Sequence, residues 1–276
     1  MSEARSLEQR YEEDGFVFPL DVLTPQEAQQ IRDDLEAAEA ELADDPERLA
    51  LLKGYPDRLL PSFDALIRHP TLIDAASRVL GPDLMVWSAA LFIKEANSTK
   101  IVSWHQDLTY WGLDDAEETT CWVALSDVSV ASGAMKFVAG SHKQSIVEHV
   151  DTFSDDNLLT RGQEIAVDVD EDDAVAVELK PGQASLHHGH LFHASGPNST
   201  NDRRIGSAIR YIKASMKQLD DTKSLVAHVA GEDRWQNFKV AGSPHGRLNE
   251  ADFQLCRDDV IAKQPILYAG TDKATG

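Results

Sequence analysis

Ser103-Trp104-His105-Gln106-Asp107-Leu108 is the stretch on which the reading of this chain turns. His105 and Asp107 stand two residues apart, and on a strand both side chains leave the same face. An imidazole nitrogen and a carboxylate oxygen then converge on one point. That is two-thirds of a 2-His-1-carboxylate site, the arrangement that leaves coordination positions open on non-haem iron. Taken alone, the tripeptide more readily describes a surface strand with a hydrogen-bonded His and a solvated Asp. Its surroundings have to decide.

On both sides of it lie short apolar runs separated by turn signals. Residues 85–95, 119–125, 133–138, 174–179, 184–187, 191–194 and 204–214 read as strands, with Pro181-Gly182 as a turn before the fifth. This spacing predicts a sandwich, barrel or jelly roll. The acidic interval 142–173 is long for a connection and suggests a lid or binding loop, centred on 148–170.

Upstream the pattern is helical. Residues 6–14 read as a short helix and 15–20 as a strand. Thr24-Pro25-Gln26-Glu27 is a helix start, with a Thr cap, Pro in the first turn and Glu three residues after the cap. Ala28, Ile31, Leu35, Ala38 and Leu42 follow at helical spacing. Residues 44–61 are poorly patterned and read as a loop. Residues 63–69 and 71–80 read as two short helices split by Pro70 and closed by Gly81-Pro82. No later segment shows a comparably clear long helix. After Ser215 the pattern is weak, and Trp235, Phe238 and Phe253 are expected to anchor a C-terminal segment on the core.

The chain has 276 residues, with 26 Lys and Arg against 47 Asp and Glu, a formal charge of −21. Such a balance disfavours nucleic acid and anionic membrane as partners. No apolar run is long enough for a membrane span. The charged N-terminus shows no secretory signal. Cys121 and Cys256 are isolated and give no disulfide framework or zinc pattern. A cytoplasmic setting is the expectation.

The remaining chemistry lies in Leu186-His187-His188-Gly189-His190-Leu191-Phe192-His193-Ala194-Ser195-Gly196-Pro197-Asn198. By spacing alone any of its four histidines can supply the third ligand. Arg204 opens a strand eleven residues after His193. A guanidinium in a deep site can hold a carboxylate through two parallel hydrogen bonds. If Arg204 points inward, so do Gly206 and Ala208, which are small and leave room beside it. Arg210 shares that parity but lies roughly 20 Å farther along an extended strand, so its role is separate.

Three blocks now carry a resemblance: Trp104-His105-Gln106-Asp107-Leu108; Trp122-Val123-Ala124-Leu125-Ser126-Asp127 with Gly133-Ala134-Met135 and Gly140-Ser141-His142; and His193-Ala194-Ser195-Gly196-Pro197-Asn198 with Arg204. In order and spacing the chain, over about 15–214, resembles the phytanoyl-CoA dioxygenase (PhyH) family of Fe(II)- and 2-oxoglutarate-dependent oxygenases. The resemblance implies a mainly β fold with flanking helices around a double-stranded β-helix, a cupin-like jelly roll. It implies one domain over 1–276, with a helical part at about 1–83, the jelly-roll core at about 84–215 and an extension at about 216–276. His105, Asp107 and His193 match the iron ligands. Arg204 matches the arginine that holds the distal carboxylate of 2-oxoglutarate, and Trp122, Ser195 and Leu91 match further contacts with this cosubstrate. A basic or polar contact upstream falls within 53–58, which does not align.

The implied activity uses Fe(II), 2-oxoglutarate and dioxygen to hydroxylate an unactivated C–H of a small metabolite, releasing succinate and CO₂. Related halogenases carry a small residue where Asp107 stands, so hydroxylation is expected. The segment 108–113 lacks the acidic and aromatic signature of ectoine hydroxylases, so ectoine is not carried over as substrate. Tyr110 and Trp111 are candidates for a substrate wall, and His187, His188 and His190 for pocket-lining or supporting roles. The acidic balance and the absence of a Lys/Arg cluster favour a small free molecule over an acyl-CoA, and an amine would suit an acidic mouth. Two other classes use the same three side chains. A non-catalytic jelly-roll metal binder or sensor needs no dicarboxylate anchor, and a zinc-dependent hydrolase is indifferent to 2-oxoglutarate.

Overall fold

Ser6 accepts a hydrogen bond from the Gln9 amide while the Gln9 side chain accepts one from the Ser6 amide, a capping box that opens α1 (Leu7–Asp14). The structure, a computed structural model, describes residues 5–154, 156–159 and 161–267. Gly15 ends α1 in the left-handed region, φ 85°, and turns the chain into β1 (Phe16–Asp21). Thr24 and Glu27 make the expected reciprocal pair at the start of α2 (Pro25–Glu41). Then come α3 (Pro46–Gly54), α4 (Pro56–Leu59), α5 (Pro61–Ile67) and α6 (Pro70–Leu80). All five helices from α2 to α6 begin on a proline, whose missing N–H costs nothing in a first turn.

Residues 44–61 therefore hold two helices rather than the expected loop. In α3 only Leu51 and Leu52 are buried, and the single turn of α4 buries Asp57 and Arg58 as an ion pair. Neither helix has the apolar period by which a helix is read.

The strands are β2 (Leu84–Lys94), β3 (Val102–His105), β4 (Glu118–Ala124), β5 (Met135–Val138), β6 (His149–Asp151), β7 (Gln163–Ile165), β8 (Ala174–Val177), β9 (Gln183–His188), β10 (His193–Ser195), β11 (Arg204–Lys213), β12 (Leu225–Ala230) and β13 (Lys239–Ala241), followed by α7 (Glu250–Leu267). They form a seven-stranded sheet, order β1-β9-β4-β11-β2-β12-β13, a four-stranded sheet, β3-β10-β5-β8, and the β6-β7 hairpin. The protein is mainly β, with flanking helices and a jelly-roll core.

The chain falls into two compact units. The first comprises Met1–Gln29, Phe92–Thr109 and Thr120–Ser207. It contains the whole four-stranded sheet together with β1 and β9. Phe137 of β5 lies 5.1 Å from Phe16 of β1 and 4.9 Å from His187 of β9, ring centre to ring centre, so the sheets are packed through aromatic side chains. The β6–β7 hairpin occupies the expected lid interval. It is tied to β3: Ser103 Oγ donates to the Gln163 carbonyl and Asn157 Nδ2 donates to Ser103 Oγ.

The second unit comprises Gln30–Leu91, Tyr110–Thr119 and Ala208–Gly276. Its β12 pairs antiparallel with β2 and parallel with β13. Tyr211 donates to the Ile67 carbonyl at 2.8 Å and Arg68 to the His228 carbonyl at 2.8 Å, fastening helices to strands. The 18-residue α7 contradicts the expectation of no later long helix. Its buried positions alternate Phe253 and Cys256 with Asp252, Asp259 and Lys263, so charge interrupts the apolar stripe. Asp259 accepts from the Leu225 amide and from Tyr55, and pairs with Lys263 at 2.7 Å, which is why those charges tolerate burial. Phe238 and Phe253 are buried as expected, but Trp235 is 44% exposed. Among the described residues no helix is long and apolar enough to cross a membrane.

Candidate metal centre

His105 ends β3 and His193 begins β10, and the two are register partners across that antiparallel pair. This puts the imidazoles side by side, 4.0 Å between ring centres. Asp107 does not continue the strand. It starts a 3-10 turn, Asp107–Tyr110, and its amide donates to the Gly189 carbonyl at 2.9 Å. The expected strand parity therefore does not bring the carboxylate in; the turn does. The ligand atoms of His105, Asp107 and His193 all lie within 4.8 Å of one another, and all three residues are buried.

The surroundings fix each of these groups for metal binding. His105 Nδ1 lies 2.9 Å from the Ser103 carbonyl and 3.1 Å from that of His193. His193 Nδ1 lies 2.9 Å from the Leu191 carbonyl. A carbonyl accepts and cannot donate, so each Nδ1 carries a proton and Nε2 is the nitrogen left to bind a metal. Burial, then the neighbouring His105, push the His193 imidazolium well below its ordinary range, so the ring is neutral. Thr120 of β4 donates to Asp107 Oδ2 at 3.1 Å and orients the carboxylate. His105 Nε2 stands 3.7 Å from Asp107 Oδ1. Two imidazole nitrogens and one carboxylate oxygen gathered in this way are the donor set of a facial triad.

Of the other three histidines, His187 lies against this group, its Nε2 3.7 Å from Asp107 Oδ2. His188 and His190 form a separate cluster, with ring centres 5.3 Å apart and His142 5.5 Å from His188. Burial lowers His188 to about 4. His149 had no motif to flag it. Its Nε2 accepts from the Gln106 amide at 3.2 Å, and Gln106 in turn donates to the His190 carbonyl and accepts from the Val147 amide.

Arg204 is 1% exposed, and its Nε and Nη2 are buried with no hydrogen-bond partner. Unpaired buried guanidinium nitrogens are costly, and a bound carboxylate is the group that satisfies them. The room expected beside Gly206 is filled by Trp122: a Cβ on Gly206 would lie 1.7 Å from Trp122 Cζ2. The Arg204 guanidinium stands 5.2 Å from the centre of that indole ring. Ser195, two residues beyond His193, is 3% exposed, and its hydroxyl accepts from Lys94 Nζ at 2.5 Å. Lys94 was not singled out from the sequence. The available signal was a lone charged residue in the otherwise apolar run of β2.

Leu91, Tyr110 and Trp111 belong to the second unit. Leu91 is buried on β2. Trp111 stacks on Trp87 at 4.7 Å between ring centres, with the Arg210 guanidinium 4.9 Å from its ring.

Residues 11–206 match the family model described as phytanoyl-CoA dioxygenase. A solved non-heme monooxygenase, ThoJ in its apo form, is 34% identical over 95% of this chain and 97% of its own, with a TM-score of 0.86. A protein of Stutzerimonas stutzeri named "Probable alpha-ketoglutarate-dependent hypophosphite dioxygenase" is 27% identical over 162 residues, 58% of this chain and 56% of the other. The ectoine dioxygenase of Bordetella parapertussis is 28% identical over 151 residues, 50% of this chain and 49% of the other. The chain thus spans about half the length of these two curated relatives.

Proposed function

The chain belongs to the phytanoyl-CoA dioxygenase family of Fe(II)- and 2-oxoglutarate-dependent oxygenases, and on that premise we propose that it hydroxylates an unactivated C–H of a small metabolite, with release of succinate and CO₂. His105, Asp107 and His193 hold the iron. Arg204, with Ser195 and Trp122, holds the distal carboxylate of 2-oxoglutarate, and Leu91 adds a further contact. Tyr110 and Trp111 line the substrate. The observation that carries this reading is the convergence of three buried metal-ligating groups within 4.8 Å. The unpartnered nitrogens of Arg204 fit the same reading, because a passive metal binder has no use for them.

Iron in such a site couples oxidative decarboxylation of 2-oxoglutarate to activation of dioxygen. The protein's own share is positional. The Ser103, Leu191 and His193 carbonyls keep both Nε2 lone pairs on the metal side. Thr120 holds Asp107 in one orientation. The Arg204 fork would fix one end of the cosubstrate and so limit the orientations open to the other. The substrate proposed is a small free molecule, since an acyl-CoA would bring several phosphates to a chain of charge −21.

Incubation of the Fe(II) protein with 2-oxoglutarate across a metabolite panel tests this. One substrate should stimulate succinate formation and gain one oxygen by mass. Equal activity with zinc and no dependence on 2-oxoglutarate would refute the reading in favour of a hydrolase.

A further inference from the structure

We propose that Lys94 is a positioning residue for the cosubstrate: its ammonium turns the Ser195 hydroxyl into an obligatory donor and places a second positive charge behind Arg204. This rests on the reading of Arg204 and Ser195 as the 2-oxoglutarate anchor.

Lys94 ends β2 and is fully buried. Its Nζ donates to Ser195 Oγ at 2.5 Å, to the Ser195 carbonyl at 3.1 Å and to the Gly196 carbonyl. An ammonium has three donors, and all three are used. Lys94 therefore makes no contact of its own with a ligand and acts through Ser195. A hydroxyl that accepts from an ammonium keeps its own proton for another acceptor. Ser195 then donates in concert with Nε and Nη2 of Arg204, which have no partner. Three donors and two positive charges suit a carboxylate, or a dicarboxylate reaching toward the metal.

Among the described residues, Arg204 is the charged group that acts on Lys94, and no acid is paired with it. Around the ammonium are Arg204 from β11, the Ser195–Gly196 backbone following His193 on β10, and Gly133, where a Cβ would approach Nζ to 3.2 Å. Glu95, next on the chain, pairs with Arg203 at the surface. Burial first, and then Arg204, lower Lys94 to about 6. A neutral amine has a lone pair and can accept from Ser195, which would reverse the hydroxyl. Binding a carboxylate therefore requires the lysine to be protonated, and at alkaline pH the ligand has to draw that proton from solvent.

The test is a titration of 2-oxoglutarate into the anaerobic Fe(II) protein at pH 8, with heats measured in two buffers of different ionisation enthalpy. Wild-type protein should take up close to one proton more than Lys94→Met on binding. Lys94→Met and Ser195→Ala should each weaken binding at least about tenfold. The double variant should be far less impaired than the product of the two, because both remove one path. Unchanged affinity in Lys94→Met, alongside weakened binding in Arg204→Ala, would overturn the role of Lys94 and leave the anchor standing. Unchanged affinity in Arg204→Ala would instead bring down the reading of the anchor. If Lys94→Met does not fold, unchanged affinity in Ser195→Ala, alongside weakened binding in Arg204→Ala, rejects the proposal, because Lys94 acts only through Ser195.

Discussion

Thr120 and Lys94 have no place in any sequence motif, yet each controls a group that does. The Thr120 hydroxyl donates to Asp107 Oδ2 at 3.1 Å. Thr120→Val keeps the shape and removes the donor. It should lower Fe(II) affinity by roughly 10- to 100-fold, the usual effect of losing such a support, as read by competition with a metal chelator. Lys94 makes a prediction about stability. Its folded-state value, about 6, lies below its ordinary 10.5, so the unfolded chain binds more protons between those limits. On account of this group, the stability of the cosubstrate-free protein rises with pH from about 6 toward about 10.5, and below about 6 the cost of the buried charge is present in full. Urea unfolding at pH 6.5 and pH 9 should show that rise in wild type, and Lys94→Met should flatten it.

The elements divide by what fixes them. Strands β1, β2, β4, β5 and β8 to β11 and helices α1, α2, α5 and α6 were legible because capping residues, prolines and apolar period agree. Helices α3, α4 and α7 and strands β6, β7, β12 and β13 were not legible; in α7 long-range partners, Leu225 and Tyr55, hold the Asp259 carboxylate, and no local pattern announces that. In the site, the grouping of His105, Asp107 and His193 and the burial of Arg204 were legible, whereas the geometry of Asp107 was not. Its place depends on a 3-10 turn held by the Gly189 carbonyl, a contact 82 residues away in sequence. Packing between β4 and β11 gives the test at this scale. Trp122 lies directly over Gly206, so Gly206→Ala must displace the indole. The cost should be about 1–3 kcal/mol in urea unfolding, and 2-oxoglutarate binding should weaken with it, because the Arg204 side chain loses the ring beside it.

At the scale of the molecule, the proposed anchor asks a chain of charge −21 to bind a dianion through the buried Arg204 and Lys94. Long-range repulsion slows the encounter, while the buried contacts are screened little. Raising salt from about 10 mM to about 150 mM, a change of Debye length from roughly 30 Å to 8 Å, should therefore increase the association rate of 2-oxoglutarate as measured by stopped flow, the reverse of the behaviour of a surface-charge anchor. Central to all of this is that one site joins the triad to the guanidinium. Anaerobic titration of 2-oxoglutarate into the Fe(II)-loaded protein, followed by the metal-to-ligand charge-transfer absorption, tests it most directly. Wild type should give a saturable band, His193→Ala should give none, and Arg204→Ala should keep its iron but bind about 10- to 150-fold more weakly. A band that survives in His193→Ala, or an unchanged affinity in Arg204→Ala, would contradict the account.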